Sequence, residues 1–151
     1  MQTIFNATQI QPKWPLRFSS VHGPYESVAT ARESVLQNFT FLLQTIPGEW
    51  PMNPDLGVGI ATYLFESYGS PKLDEVGSNI SKQLKKYLPE VQLVSANFIH
   101  SDRDQDSLTT VLKIKYSVKL LGIIEEIDFG LDPVTKTTVN MSTLNSKVGE
   151  L

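Results

Sequence analysis

The stretch Leu108–Leu121, LTTVLKIKYSVKLL, alternates apolar and polar side chains along most of its length. Leu108, Thr110, Leu112, Ile114, Tyr116, Val118 and Leu120 fall on one side, and Lys113, Lys115, Ser117 and Lys119 on the other. Successive side chains of a strand point to opposite faces, so this pattern puts one face on a core and one in water, as in an antiparallel sheet. Gly122 turns the chain. In the returning strand Ile123, Glu125, Ile127, Phe129 and Leu131 alternate with Ile124, Glu126 and Asp128, and its acidic residues sit across from lysines of the preceding strand, which supports the pairing. Upstream, Glu90–His100 (EVQLVSANFIH) is rich in β-branched and aromatic groups and reads as another strand, separated by the polar loop SDRDQDS. Downstream, Asp132-Pro133 signals a turn, and VTKTTVNMST (134–143) reads as one more strand or a loose arm.

Ahead of Pro89 the period is helical. Thr30 and Glu33 form a capping-box signature. Behind it Val35, Phe39, Leu42 and Ile46 recur at helical spacing beside Leu36 and Leu43, and Pro47 ends the helix near Thr45 or Ile46. From Ser34 to Pro47 no residue is charged, and Phe41 points away from the apolar stripe among Gln37, Thr40 and Gln44. That face is either a neutral solvated surface or one covered by a second chain. A short second helix is expected from about Val58 to Ser67. A third is expected from Pro71 or Lys72 to about Leu88, with Leu73, Val76, Ile80, Leu84, Tyr87 and Leu88 inward and Lys82, Lys85 and Lys86 outward. The first 26 residues carry Trp14, Phe18 and Tyr25 among Pro12, Pro15, Gly23 and Pro24, which reads as an extended arm lying on this domain or on a neighbour. The expected organisation is an arm over 1–26, an α+β domain over 27–131 with about three helices on a small antiparallel sheet, and a C-terminal hairpin strand or tail over 132–151.

The chain has 151 residues, 40% hydrophobic and 19% charged, which fits one globular domain and not a disordered chain. A net charge of −3 provides no overall attraction for nucleic acid or anionic lipid. The absence of cysteine removes disulfides, thiolate nucleophiles and Cys-based zinc sites. MQTIFNATQIQPKWP has no charged n-region and no long apolar run, so no secretory signal is expected, and no apolar stretch reaches the length of a bilayer span.

The chain carries few motifs of catalytic or metal chemistry. Gly57 and Gly59 suggest a phosphate loop, but Thr62 stands in place of the third glycine and no strand precedes them. Asp102, Asp104 and Asp106 have the opening spacing of a calcium loop, yet Ser107 replaces the turn glycine and Lys113 the bidentate Glu, so a polar hairpin loop explains them better. His22 and His100 lack metal-ligand spacing and read as surface or packing residues. Glu49, Asp55 and Glu66 are the carboxylates a glycosidase would draw on, but spacing does not pair any two, and Glu49 reads as a hydrogen-bonding group of a helix connector. No catalytic, cofactor or metal residues are therefore expected.

The connector PGEWPMNPDLGVGIATYLFE, Pro47–Glu66, resembles the signature of the baseplate wedge proteins that start the sheath in contractile phage tails, with relatives in type VI secretion and other injection machines. In that family a helix ends in a Pro-Gly-Glu-Arg-like turn, followed by a Pro, an aromatic or Leu, a Gly and a Leu-Phe-Glu helix end. Here those are Pro47, Gly48, Glu49, Pro54, Leu56, Gly57, Leu64, Phe65 and Glu66. The likeness spans roughly Trp14 to Leu131. Trp50 stands where Arg is typical, and Tyr87-Leu88-Pro89-Glu90 replaces an aromatic followed by Glu-Pro-Arg.

The resemblance implies a non-enzymatic subunit of a virion tail baseplate, assembled in the host cytoplasm. Its implied partners are sheath protein, wedge proteins and tube or hub proteins, in a hexameric ring of copies, with neither nucleic acid nor membrane. The wedge core would meet Lys85, Lys86, Tyr87, Leu88, Pro89 and Glu90, where Lys85 and Lys86 supply replacement charge. A sheath strand would add along the edge carrying Ile123, Glu125, Ile127 and Phe129. Pro47, Gly48, Glu49, Pro54 and Gly57 would shape the structural turn. Each added backbone hydrogen bond contributes about 0.5–1.5 kcal/mol, so a strained sheath needs several of them and the avidity of a ring. Two alternatives stay open: a peptidoglycan hydrolase, since some members have carried the description tail lysozyme, and the equivalent subunit of a secretion or toxin-delivery machine.

Overall fold

The alternating strands form as expected. In the computed structural model, which describes residues 10–19, 24–64, 66, 70–100, 110–130 and 138–140, the chain divides into two units, Met1–Leu42 and Leu43–Leu151.

In the first unit the proline-rich segment doubles back. Strands β1 (Gln11–Pro12) and β2 (Ser27–Val28) pair antiparallel. The hairpin continues beyond them, with Lys13 N–H donating to Glu26 O at 2.9 Å and Glu26 N–H to Arg17 O at 2.9 Å. Helix α1 (Ala31–Gln44) follows. The Thr30 hydroxyl accepts the Glu33 N–H at 3.2 Å, satisfying one of the amides that a helix start leaves unpaired. Val28, Phe39 and Leu42 are buried. The hairpin lies on the uncharged face of α1. Gln37 donates to Pro12 O at 3.0 Å and accepts the Trp14 N–H at 2.9 Å. Trp14 meets Phe41 edge-on, ring centroids 5.9 Å apart.

The second unit carries α2 (Ile60–Leu64), α3 (Pro71–Tyr87) and a four-stranded antiparallel sheet in the order β3 (Val91–His100), β4 (Thr110–Val118), β5 (Ile123–Gly130), β6 (Thr138–Asn140). The layout is α+β. Helix α3 lies against β3. Its buried Val76, Ile80 and Leu84 join Leu112, Ile114, Tyr116 and Val118 of β4 and Ile127 and Phe129 of β5 in the core of this unit. The pairing inferred from charge is present: Lys113 faces Asp128 and Lys115 faces Glu126 in register, and both lysines reach Glu126 at 3.4 Å. Among the described residues no helix is long and apolar enough to cross a membrane.

Several boundaries differ from the sequence reading. Leu120 is 82% exposed: the β4 ladder closes at Val118, and the turn that returns through Gly122 at φ +62° swings Leu120 out. Ile46 is exposed because α1 stops at Gln44, and Leu43 takes the inward place. The second helix is only Ile60–Leu64, since Gly57 at φ +110° and Gly59 at φ +66° keep the chain out of helical geometry until Ile60. In β3 the register shifts between Leu93 and Ser95. This bulge reverses the alternation, so Val91, Leu93, Ala96 and Phe98 are buried or half-buried while Val94 and Ile99 are exposed. The expectations for His22, Phe65, the Asp102–Asp106 loop, Leu108, Leu131 and the Asp132-Pro133 turn lie outside the described residues.

Candidate interaction surface

The connector after α1 is a built loop. Gly48 N–H donates to Pro54 O at 2.9 Å, and Gly59 N–H to Thr45 O at 2.8 Å, folding the segment across its own start. Glu49 closes the turn from both ends: its N–H donates to Ile46 O at 3.1 Å, and its carboxylate accepts the Ile46 N–H at 3.0 Å. Pro47 Cδ lies close enough that a Cβ on Gly59 would stand 3.1 Å from it. A carboxylate so placed fixes the backbone geometry of this turn.

The two site groups that the sequence kept apart, the turn and the 85–90 corner, are one structure. Gln83 of α3 accepts the Gly57 N–H at 3.2 Å and donates to Asp55 O at 2.8 Å. The Tyr87 hydroxyl donates to Asn53 Oδ1 at 2.9 Å. Lys86 reaches Asp55 at 3.5 Å, with its ammonium 5.0 Å from the Tyr87 ring centre. Tyr87 first, and Asp55 after it, hold this ammonium above the usual lysine range. Lys86 and Tyr87 therefore brace the connector. Leu88 belongs to the core, and Pro89 is exposed. Glu90 O accepts the Lys119 N–H at 3.0 Å. Lys85 is exposed. At the other end of α3, Glu66 bonds Lys72 at 2.6 Å and Ser70 at 3.3 Å, and the Lys72 contact, ahead of the others, draws the Glu66 carboxyl below its ordinary range.

On β5 the side chains of Glu125, Ile127 and Phe129 face the core, and Ile123 is half-buried. Glu125 is 8% exposed and accepts the Tyr116 hydroxyl at 2.5 Å. What β5 presents outward is its backbone margin. There β6 pairs with Asp128, Phe129 and Gly130, while Ile123–Ile127 have no partner beyond β4 among the described residues. Ile124, 60% exposed beside that open half, was missed by the sequence reading, although an isoleucine on the polar side of an alternating strand marks it. Gln83 and Asn53 carry no such signal.

The sequence profile of the family described as baseplate wedge protein gp25 matches residues 29–121. The chain belongs to this baseplate wedge family. The match takes in α1, the connector, α2, α3, β3 and β4 and stops before β5, so it is shorter at both ends than the span of likeness read from the sequence. Two solved structures share the fold of this chain. A candidate tail lysozyme from Geobacter sulfurreducens is 22% identical with a TM-score of 0.55, over 70% of this chain and 94% of that one. A chain of the anti-feeding prophage baseplate is 22% identical with a TM-score of 0.60, over 74% of this chain and 85% of that one. No curated protein matches.

Proposed function

We propose that this baseplate subunit works in a contractile tail or injection machine, linking the wedges to the sheath and seeding the first sheath ring by accepting a strand from a sheath subunit. The observation that carries the reading is the open half of β5. Among the described residues β6 pairs with Asp128–Gly130 and nothing beyond β4 pairs with Ile123–Ile127, whose backbone would accept the foreign strand with exposed Ile124 as a side-chain anchor. Copies in a hexameric ring multiply the few hydrogen bonds each edge provides. A photo-cross-linker at position 124 in intact particles should capture the sheath protein. Capture of other baseplate chains alone, with none at the sheath junction, would overturn the reading.

The same reading makes the chain non-enzymatic. Glu49, the first carboxylate considered for catalysis, is engaged in its own turn. Cell-wall clearing by the purified chain that disappears in Glu49→Gln would establish a hydrolase instead.

A further inference from the structure

The margin of the sheet opposite β6 carries a different feature. Between the last turns of α3 and the start of β3 lies a groove of about 410 Å³, within the size range of ligand-sized clefts. Leu84, Pro89, Val91, Leu93 and Val94 give it apolar walls, and Lys85 and Lys119 enter from α3 and from the end of β4. No carboxylate lines it.

The lysines are the informative part. In this unit Lys72 pairs with Glu66, Lys86 with Asp55, and Lys113 and Lys115 with Glu126. Lys82, Lys85 and Lys119 have no carboxylate partner among the described residues, and two of these three line the groove. The bulge beside Val94 interrupts the regular ladder here, so this margin is poorly suited to adding a full-length strand and better suited to seating one side chain.

We propose that this groove docks a short acidic segment of a partner protein, with one apolar side chain against exposed Pro89 and Val94 and its carboxylates on Lys85 and Lys119. The inference rests on the reading of the 85–90 corner as a partner surface and names the chemistry of that partner. It also divides the two lysines of the corner: Lys86 braces the connector, and Lys85 works with Lys119, which lies just past the end of β4.

The test uses the full chain and a fluorescein-labelled hexapeptide, a Leu-Phe pair flanked by two glutamates on each side, with a glutamine-flanked version as control. Anisotropy should show the acidic peptide binding about tenfold more tightly, the scale expected of two exposed ion pairs. The K85E/K119E double variant should lose that preference, and K82E, which reverses a lysine of α3 outside the groove, should keep it. Amide shifts on binding should concentrate at Ser81, Lys85, Val91–Val94 and Lys119. Absence of binding, an equal loss in K82E, or shifts centred elsewhere would each overturn the proposal. The assay contains no sheath and leaves β5 untouched, so its failure and a failure of the strand-acceptor reading at position 124 are separate results.

Discussion

Replacing Gly57 with alanine tests whether the connector is locked by its backbone. Gly57 sits at φ +110°, and a Cβ there would stand 2.2 Å from Thr45 O and 2.7 Å from its carbonyl carbon, far inside contact distance. The Thr45 carbonyl cannot yield freely, because it accepts the Gly59 N–H at 2.8 Å, and Gly57 N–H is itself bonded to Gln83. Forcing a side chain onto positive φ costs about 1–2 kcal/mol. Losing the Gly59 and Gln83 hydrogen bonds costs about 1 kcal/mol each. The sum, about 3–4 kcal/mol, is a large part of the roughly 5–15 kcal/mol that stabilises a typical domain. At about 2–4 °C per kcal/mol for a chain of this length, Tm should fall by about 10 °C. Gly48→Ala is the matched control: its φ is +95°, but nothing lies within 4 Å of the added carbon, so only the conformational strain, about 1–2 kcal/mol, should appear. Both variants would be followed by circular dichroism in thermal and urea unfolding. If Gly57→Ala is no worse than Gly48→Ala, the close approach of the connector to Thr45 is not what holds the loop, and the reasoning fails.

Tyr116→Phe removes the 2.5 Å bond to buried Glu125 and should lower stability by about 1.5–3 kcal/mol, while the double change with Glu125→Leu should recover most of the loss in urea titrations. Gln37→Ala removes two of the bonds that tie the hairpin to α1, so amide exchange at Trp14 should accelerate markedly while exchange along β4 stays unchanged. The Glu66 carboxyl should titrate below the ordinary carboxylate range in an NMR pH series, and Lys72→Met should move it back up. Because that folded-state pKa is depressed, the stabilisation from the Lys72 contact is present above the unfolded-state value and is lost as pH falls through the folded one.

Much of the architecture was legible from local pattern. The inward face of β4, the turn at Gly122, the stripe of α3 and the cap at Thr30 each depend on residues a few positions apart, and local sterics and burial settle them. The turn chemistry of Glu49 could be read the same way, since Ile46 and Glu49 are three residues apart. Leu120 and Ile46 were misplaced because periodicity does not say where a ladder or helix stops. That depends on which residue the turn's hydrogen bonds choose.

The sequence by itself determined the kinds and order of the elements from α1 to β5, the pairing of β4 with β5 and, through the connector, the family. Only the tertiary structure decided that the connector and the end of α3 are one unit, joined by contacts such as Tyr87 with Asn53 across 34 positions. It alone showed the bulge that reverses β3, the pairing of β6 with Asp128–Gly130 of β5, and the hairpin laid on the uncharged face of α1. These features rest on polar groups satisfied by distant partners. A glutamine or asparagine looks the same in sequence whether its amide meets water or a backbone carbonyl far along the chain, and folding chooses between them.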